Sequence, residues 1–202
     1  AAISLGVVMM LISMATGVGL QQKIRQKIAA FHGQISITTF DNNSSEVSVN
    51  PIQRDLAIEF FPIQIDGIDH VQGVAKKAGI IKTEESFEGV ILKGVDAHYR
   101  WNTFEEYLIA GKIPTIQDSI ASREVLVSEF IANRLLLSVG DRFKTYFMKN
   151  DATAVPNQRT FVVSGIYTSG FPDFDATYIL GDIHHIRTMN QWEADTYGNY
   201  EV

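Results

Sequence analysis

The first twenty positions, AAISLGVVMMLISMATGVGL, hold no charged side chain. An apolar run of that length, coiled as one helix, reaches across the roughly 30 Å hydrocarbon core of a bilayer. The pattern changes at Gln21. In QQKIRQKIAAF, Ile24, Ile28 and Phe31 recur at i, i+4 and i+7, and Lys23, Arg25, Gln26 and Lys27 take the other faces. This predicts that the helix continues as an amphipathic stalk and stops at Gly33. Three readings of the apolar run compete. A signal peptide wants a basic start and a shorter core, whereas here the basic residues follow the run. A buried helix of a soluble protein is seldom so long and free of charge. A membrane span, or its surviving end, fits the pattern best. Gly6, Gly17 and Gly19 are tolerated in lipid, and the pairs Ala2/Gly6, Ser13/Gly17 and Ala15/Gly19 have the spacing that lets helices approach. The first residue is not Met, so the chain is expected to begin inside a longer protein.

Beyond Gly33 the period shortens. QISITTF alternates Ile35, Ile37 and Thr39 with polar neighbours, a half-buried strand, and residues 41–45 form a loop. Residues 55–69 fit a short strand or a short helix equally, with Pro62 breaking either. Residues 71–83 and 87–95 predict an antiparallel pair across a Glu-Glu-Ser turn. Asn102 with Glu105 resembles a capping box for a helix that Gly111 ends. A connecting loop covers 113–122 and a strand 124–127; Ser128 then caps a helix through Leu137, stopped near Gly140. Two strands, 142–148 and 159–167, flank a polar excursion over 149–158. A strand over 177–180 precedes a helix starting at Asp182, with Ile183, Ile186 and Met189 on one face, and residues 200–202 open a further strand. Strands and helices interleave without the long alternation of a doubly wound sheet. The class is α+β, with residues 1–32 as span and stalk and 33–202 as a domain of two subdomains.

Charge divides the chain the same way. Residues 1–40 carry Lys23, Arg25 and Lys27 and no acid; the rest carries the other 14 of 17 basic residues and all 23 acidic ones. The total is −6, and no basic footprint for nucleic acid is present. Lys and Arg beside a span favour the cytoplasmic side, and here they lie on the side of the folded domain. There is no cysteine, which removes thiol catalysis, cysteine zinc sites and disulfides. His184 and His185 are neighbours with Asp182 and Asp175 close by, but adjacent helical residues point about 100° apart and share an ion poorly. Solvated histidines on a helix face are the expectation. The sequence has no nucleophile elbow, no phosphate loop and no dinucleotide fingerprint. Neither an active site nor a cofactor is expected.

Several segments in order resemble one family. GVGLQQKIRQKIAAFHGQISI is similar to the end of the first transmembrane helix and first strand of FtsX-like ABC transporter permeases, closest to the lipoprotein-releasing LolC and LolE branch. Gly19-Leu20-Gln21 stands where that branch typically has Gly-Phe-Gln. EGVILKGVD from Glu88, SEFIANRLLLSVGD from Ser128, RTFVVSGIY from Arg159, and Asp175 with Gly181-Asp182-Ile183 resemble its later blocks.

The resemblance implies a four-helix, multi-pass permease of the inner membrane. This chain would be the end of helix one and the periplasmic domain, a MacB-like core with porter-like β-α-β units and a mostly β part inserted. It further implies a separate cytoplasmic ATPase, a second permease subunit as homo- or heterodimer, and cargo that is an acylated lipoprotein handed to a periplasmic carrier. The hook that contacts the carrier in LolC matches Lys149, Asn150, Asp151, Val155, Pro156 and Asn157, a shorter excursion here. A plain solvent-exposed hairpin loop is the other reading of that stretch. The rivals for the whole are a MacB-like efflux component, an FtsX-like regulator of cell-wall hydrolases, and a soluble ligand-binding domain with a buried first helix.

Overall fold

The structure is a computed structural model and describes residues 2–149 and 154–202. Its contacts divide the chain into two compact units, Ala1–Gln34 and Ile35–Val202. The first is helix α1, Ala2–His32, which ends at Gly33 with φ 71°, the left-handed stop the sequence led one to expect. Within it Gly6–Arg25 is long and apolar enough to cross a membrane, judged by length and composition, and none of that stretch is buried.

The second unit opens with β1 (Ser36–Thr38), a 3₁₀ turn (Phe40–Ser44) and β2 (Ile52–Gln53). The ambiguous stretch 55–69 is helical: α2 (Leu56–Glu59) and α3 (Phe61–Gln64). Pro62 sits in the first turn of α3, where its missing N–H costs nothing. Next come β3 (Gln72–Lys82) and β4 (Phe87–Val95), paired antiparallel from Val74↔Val95 to Lys82↔Phe87 as predicted. The helix predicted over 102–111 is corrected. α4 is one turn (Asn102–Glu105) with Trp101 at its cap and no side-chain cap bond, and Leu108–Gly111 is strand β5, paired with β8 (Asn157–Tyr167). A single turn gains little by itself, whereas the sheet edge supplies backbone partners. Gly111, at φ 78°, allows Lys112 to donate its N–H to the Ser164 carbonyl at 2.9 Å.

β6 (Glu124–Ser128) leads into α5 (Glu129–Leu135), whose cap is Ser128, as the sequence suggested. The stop is not Gly140: Leu136 takes the left-handed conformation and Leu137 N–H closes on the Ala132 carbonyl. β7 (Arg142–Phe147) and β8 form the expected hairpin. A helix not foreseen, α6 (Pro172–Thr177), precedes β9 (Tyr178–Asp182). Asp182 ends that strand rather than opening a helix; α7 is His184–Asn190. β10 (Thr196–Tyr197) pairs with β2, and β11 (Asn199–Glu201) lies between β1 and β3.

Among the described residues nine strands form one sheet, and β3–β4–β9–β6–β8–β7 returns to β3, so six of them close a ring. β4 and β9 run parallel, as do β6 and β8 across α5. Alternation along β4, β6 and β9 supplies two apolar layers. Leu92, Val125, Val127 and Ile179 join the core with α5 and α7, while Leu126, Tyr178 and Leu180 point the other way. Near that second set Phe104, Tyr167, Phe174 and Tyr178 form a chain of ring contacts. Burial on both faces accounts for strands such as β6 that read as continuous apolar runs.

Candidate partner-binding site

β7 places Phe143, Thr145 and Phe147 inward and Lys144 and Tyr146 outward, as a period of two requires, and Met148 follows the strand, exposed. Its neighbour β3 does the same: Ile80 stands opposite Tyr146, and Lys82 opposite Lys144. Across β3, Phe87 faces Lys82. The outer face therefore gathers Ile80, Phe87, Tyr146, Met148 and Pro156 around a groove of about 490 Å³. Phe87 is 74% and Met148 53% exposed, and Val155, two residues before the start of β8, is 80% exposed. The groove is bounded by a turn that holds its own shape: Thr83 N–H donates to the Ser86 carbonyl, and Ser86 N–H to Thr83 Oγ1 at 3.1 Å. The same turn also borders a larger groove of about 890 Å³ of mixed lining, with Arg134 and Lys144 beside Leu136 and Leu137.

Of the hook residues expected from sequence, Lys149 and Val155 are exposed, Pro156 is half-buried against the groove, and Asn157 opens β8 opposite Phe147. Asn150 and Asp151 lie outside the described residues. Sequence reasoning took the excursion alone and missed Ile80, Phe87, Tyr146 and Met148. The signal was available in the alternation of each strand. What no single strand reveals is that β3 and β7 are neighbours, which puts their outward apolar residues side by side. Lys82, Glu84 and Glu85 line the groove beside the apolar side chains, an arrangement of apolar centre and polar rim that protein interfaces share.

The histidine pair takes a different form from the one expected. Neither ring is simply solvated. His184 is held by Asp182, whose Oδ1 is 2.7 Å from Nδ1 and accepts the His184 N–H at 2.9 Å. His185 is 8% exposed, and its Nε2 lies 2.7 Å from the Ser122 carbonyl. Asp182 Oδ2 accepts the Ser122 N–H as well, so Asp182 at the end of β9 and His185 in α7 together hold the end of the long 113–122 connection at Ser122. Burial lowers the pKa of His185, opposed by the Ser122 carbonyl and Asp182. Among the described residues no three His, Asp or Glu side chains converge as a metal site would need.

A buried ionic cluster ties β11 to the ring. Lys93 Nζ is 2.7 Å from Glu201 Oε2, both side chains being closed to solvent, and Lys76 Nζ is 3.9 Å from Oε1. Gln72 adds a long bond to the same carboxylate. Burial lowers the pKa of Lys76, with Glu201 opposing.

A family model described as the MacB-like periplasmic core domain matches residues 1–200. Among solved structures, the extracellular domain of the noncanonic ABC-type transporter YknZ from Gram-positive bacteria is similar at 15% identity. That match covers 82% of this chain and 81% of that one, with a TM-score of 0.50. The periplasmic region of MacB from Actinobacillus actinomycetemcomitans is similar at 11% identity, covering 85% and 75%, with a TM-score of 0.51. No curated protein matches in sequence.

Proposed function

The chain belongs to the MacB-like periplasmic core domain family, the extracytoplasmic domains of ABC transporter permeases, and on that premise we propose which kind of permease it serves. The reading is a permease of the lipoprotein-releasing branch. It is anchored in the inner membrane by α1 and by further spans beyond residue 202, with ATP hydrolysis on a separate cytoplasmic subunit and a second permease subunit beside it. The cargo is an acylated lipoprotein or another amphiphile. The domain's part is mechanical: it couples motion at the membrane to a change in the grip on cargo or carrier. Permease domains of this kind are not catalytic, and the transport energy comes from the ATPase.

The observation that supports a soluble partner is the apolar stripe of Ile80, Phe87, Tyr146 and Met148 beside the β7–β8 hairpin. A short polar excursion alone would offer little apolar area; the stripe supplies the desolvated centre that interfaces need, with the excursion as its rim. Pro156 fixes its own backbone angle and lowers the ordering cost on docking.

The test replaces residues 150–157 by a short Gly-Ser turn and, separately, changes Phe87→Ser. Both variants should keep melting within a few degrees of the parent, because neither touches the core; that is about 1 kcal/mol or less for a domain of this size. Both should weaken capture of the periplasmic carrier. Unchanged capture by the two variants, with transport intact, would remove the hairpin from the partner site.

A further inference from the structure

Lys76 on β3 stands directly opposite Lys93 on β4, and both ammonium groups reach toward the one carboxylate of Glu201 on β11. Like charges facing each other across a strand pair repel, so the carboxylate offsets a cost built into the sheet. It serves the two lysines unequally. Oε2 takes Lys93 Nζ at 2.7 Å, while Oε1 is buried without a hydrogen bond. Lys76 Nζ lies 3.9 Å from Oε1 and, among the described residues, makes no hydrogen bond of its own. Its other neighbours are the Tyr178 ring, 5.8 Å away, and Glu46, whose Oε2 accepts the Tyr178 hydroxyl at 2.9 Å. A donor and an acceptor thus face each other unmade. Closing them to a charge-assisted bond takes a displacement of about 1 Å. An unmade bond at a buried carboxylate costs free energy, so a nearby arrangement that makes it is within reach.

The two sides of the gap are held differently. The backbone of Lys76 is fixed from both directions: Ser48 N–H donates to its carbonyl at 2.8 Å, and its own N–H donates to Ser48 Oγ at 2.9 Å. β3 is also paired with β4 from Val74 to Lys82. β11 is three residues long and meets β3 only through Asn199↔Val74, Tyr200↔Gly73 and Glu201↔Gln72. On its far side it carries β1, equally short, which among the described strands pairs with β11 alone. β1 and β11 are therefore a narrow ribbon at the edge of the sheet, and the ribbon is the side free to move.

We propose that Lys76 and Glu201 are a latch, open in this structure, whose closing draws the β1–β11 ribbon along β3 into a second seat. In the open seat the carboxylate is bound by Lys93 alone; in the closed seat it is shared by both lysines. Lys93, on a flexible four-carbon stem, follows the carboxylate, so the charge stays paired throughout. Displacements of this size between two packed arrangements are how small shifts become switches. The inference deepens the mechanical reading above and rests on it for the use of the motion: β1 is the strand by which the chain enters the domain, so the ribbon takes up displacement there.

The test is relaxation dispersion on the deuterated, nitrogen-15-labelled full chain in maltoside micelles, which reads microsecond-to-millisecond exchange. Exchange is expected at the amides of Ile37 in β1 and Tyr200 in β11, and none at Val127 in β6. Lys76→Met should abolish it while melting stays within a few degrees, because the ammonium it removes makes no hydrogen bond here. Lys76→Arg, which keeps the charge and the donors, should retain it. A ribbon without exchange in the parent refutes the latch, as does exchange that persists in Lys76→Met. Exchange shared by Val127 means a global opening and overturns the proposal. So does arrest in Lys76→Arg, which would make packing and not charge the cause. If Lys76→Met melts far below the parent or fails to fold, the bond is already made at rest and the open latch is wrong. None of these measurements involves the hairpin or its carrier, so a failed latch leaves the partner site standing, and a failed partner site leaves the latch.

Discussion

Replacing Lys93 by Met keeps the length and most of the volume of the side chain and removes the ammonium that reaches from β4 across β3 to β11. In the parent, Lys93 Nζ lies 2.7 Å from Glu201 Oε2, with side-chain exposures of 1% and 0%. The variant leaves a carboxylate closed to water with a long Gln72 bond and with Lys76 at 3.9 Å. Removing one partner of a buried pair costs about 3–5 kcal/mol. Lys76 is close enough to take up part of the charge, so the lower end applies, about 3 kcal/mol. For a unit of this size that lowers melting by roughly 6–12 °C. The double variant Lys93→Met/Glu201→Leu removes both charges and should recover to within about 1–2 kcal/mol of the parent, since apolar replacements of a buried pair are often neutral. Thermal unfolding of the full chain in detergent, followed by near-ultraviolet circular dichroism, reads both numbers. A single variant that melts with the parent, or a double variant no better than the single one, would refute the claim that this pair holds β11 to the ring.

Two further outcomes follow from the polar contacts of the domain. Ser128→Ala removes the hydroxyl that accepts the Ile131 N–H at 3.1 Å and donates to the Asp175 carbonyl. A loss of about 2 kcal/mol is expected, read as a shift in the urea midpoint. His185 has its pKa lowered by burial below the ordinary 6.5, so the unfolded chain takes up the proton first. Its contribution to stability is complete above the unfolded value and declines as pH falls through it toward the folded one. His70, lowered the same way with Arg100 adding to burial, contributes in the same direction. Urea midpoints of the parent should fall between about pH 7.5 and pH 5.5 more than those of His185→Gln; equal slopes would exclude the His185 contribution.

What could be read from the sequence is what depends on neighbours along the chain. The charge-free run and its basic continuation specify α1 and its end at Gly33, because both follow from local periodicity and one left-handed glycine. Apolar segments parted by polar turns gave β3, β4, β7 and β8, and Ser128 announced its helix through a cap bond only three residues long. Two of the errors have one cause: partners distant in the chain. Residues 108–111 became β5 because β8 offers them an edge, and Asp182 stayed in its strand because β4 pairs with it and Ser122 and His184 bind its side chain. The buried Lys93–Glu201 pair joins positions 108 residues apart, and no spacing rule points to it. The candidate site divides in the same way. Its polar excursion was legible as a loop between two strands. The stripe beside it exists only because β3 pairs with β7. Local pattern decides which way a side chain points from its own element; only the tertiary pairing of elements decides what it stands next to.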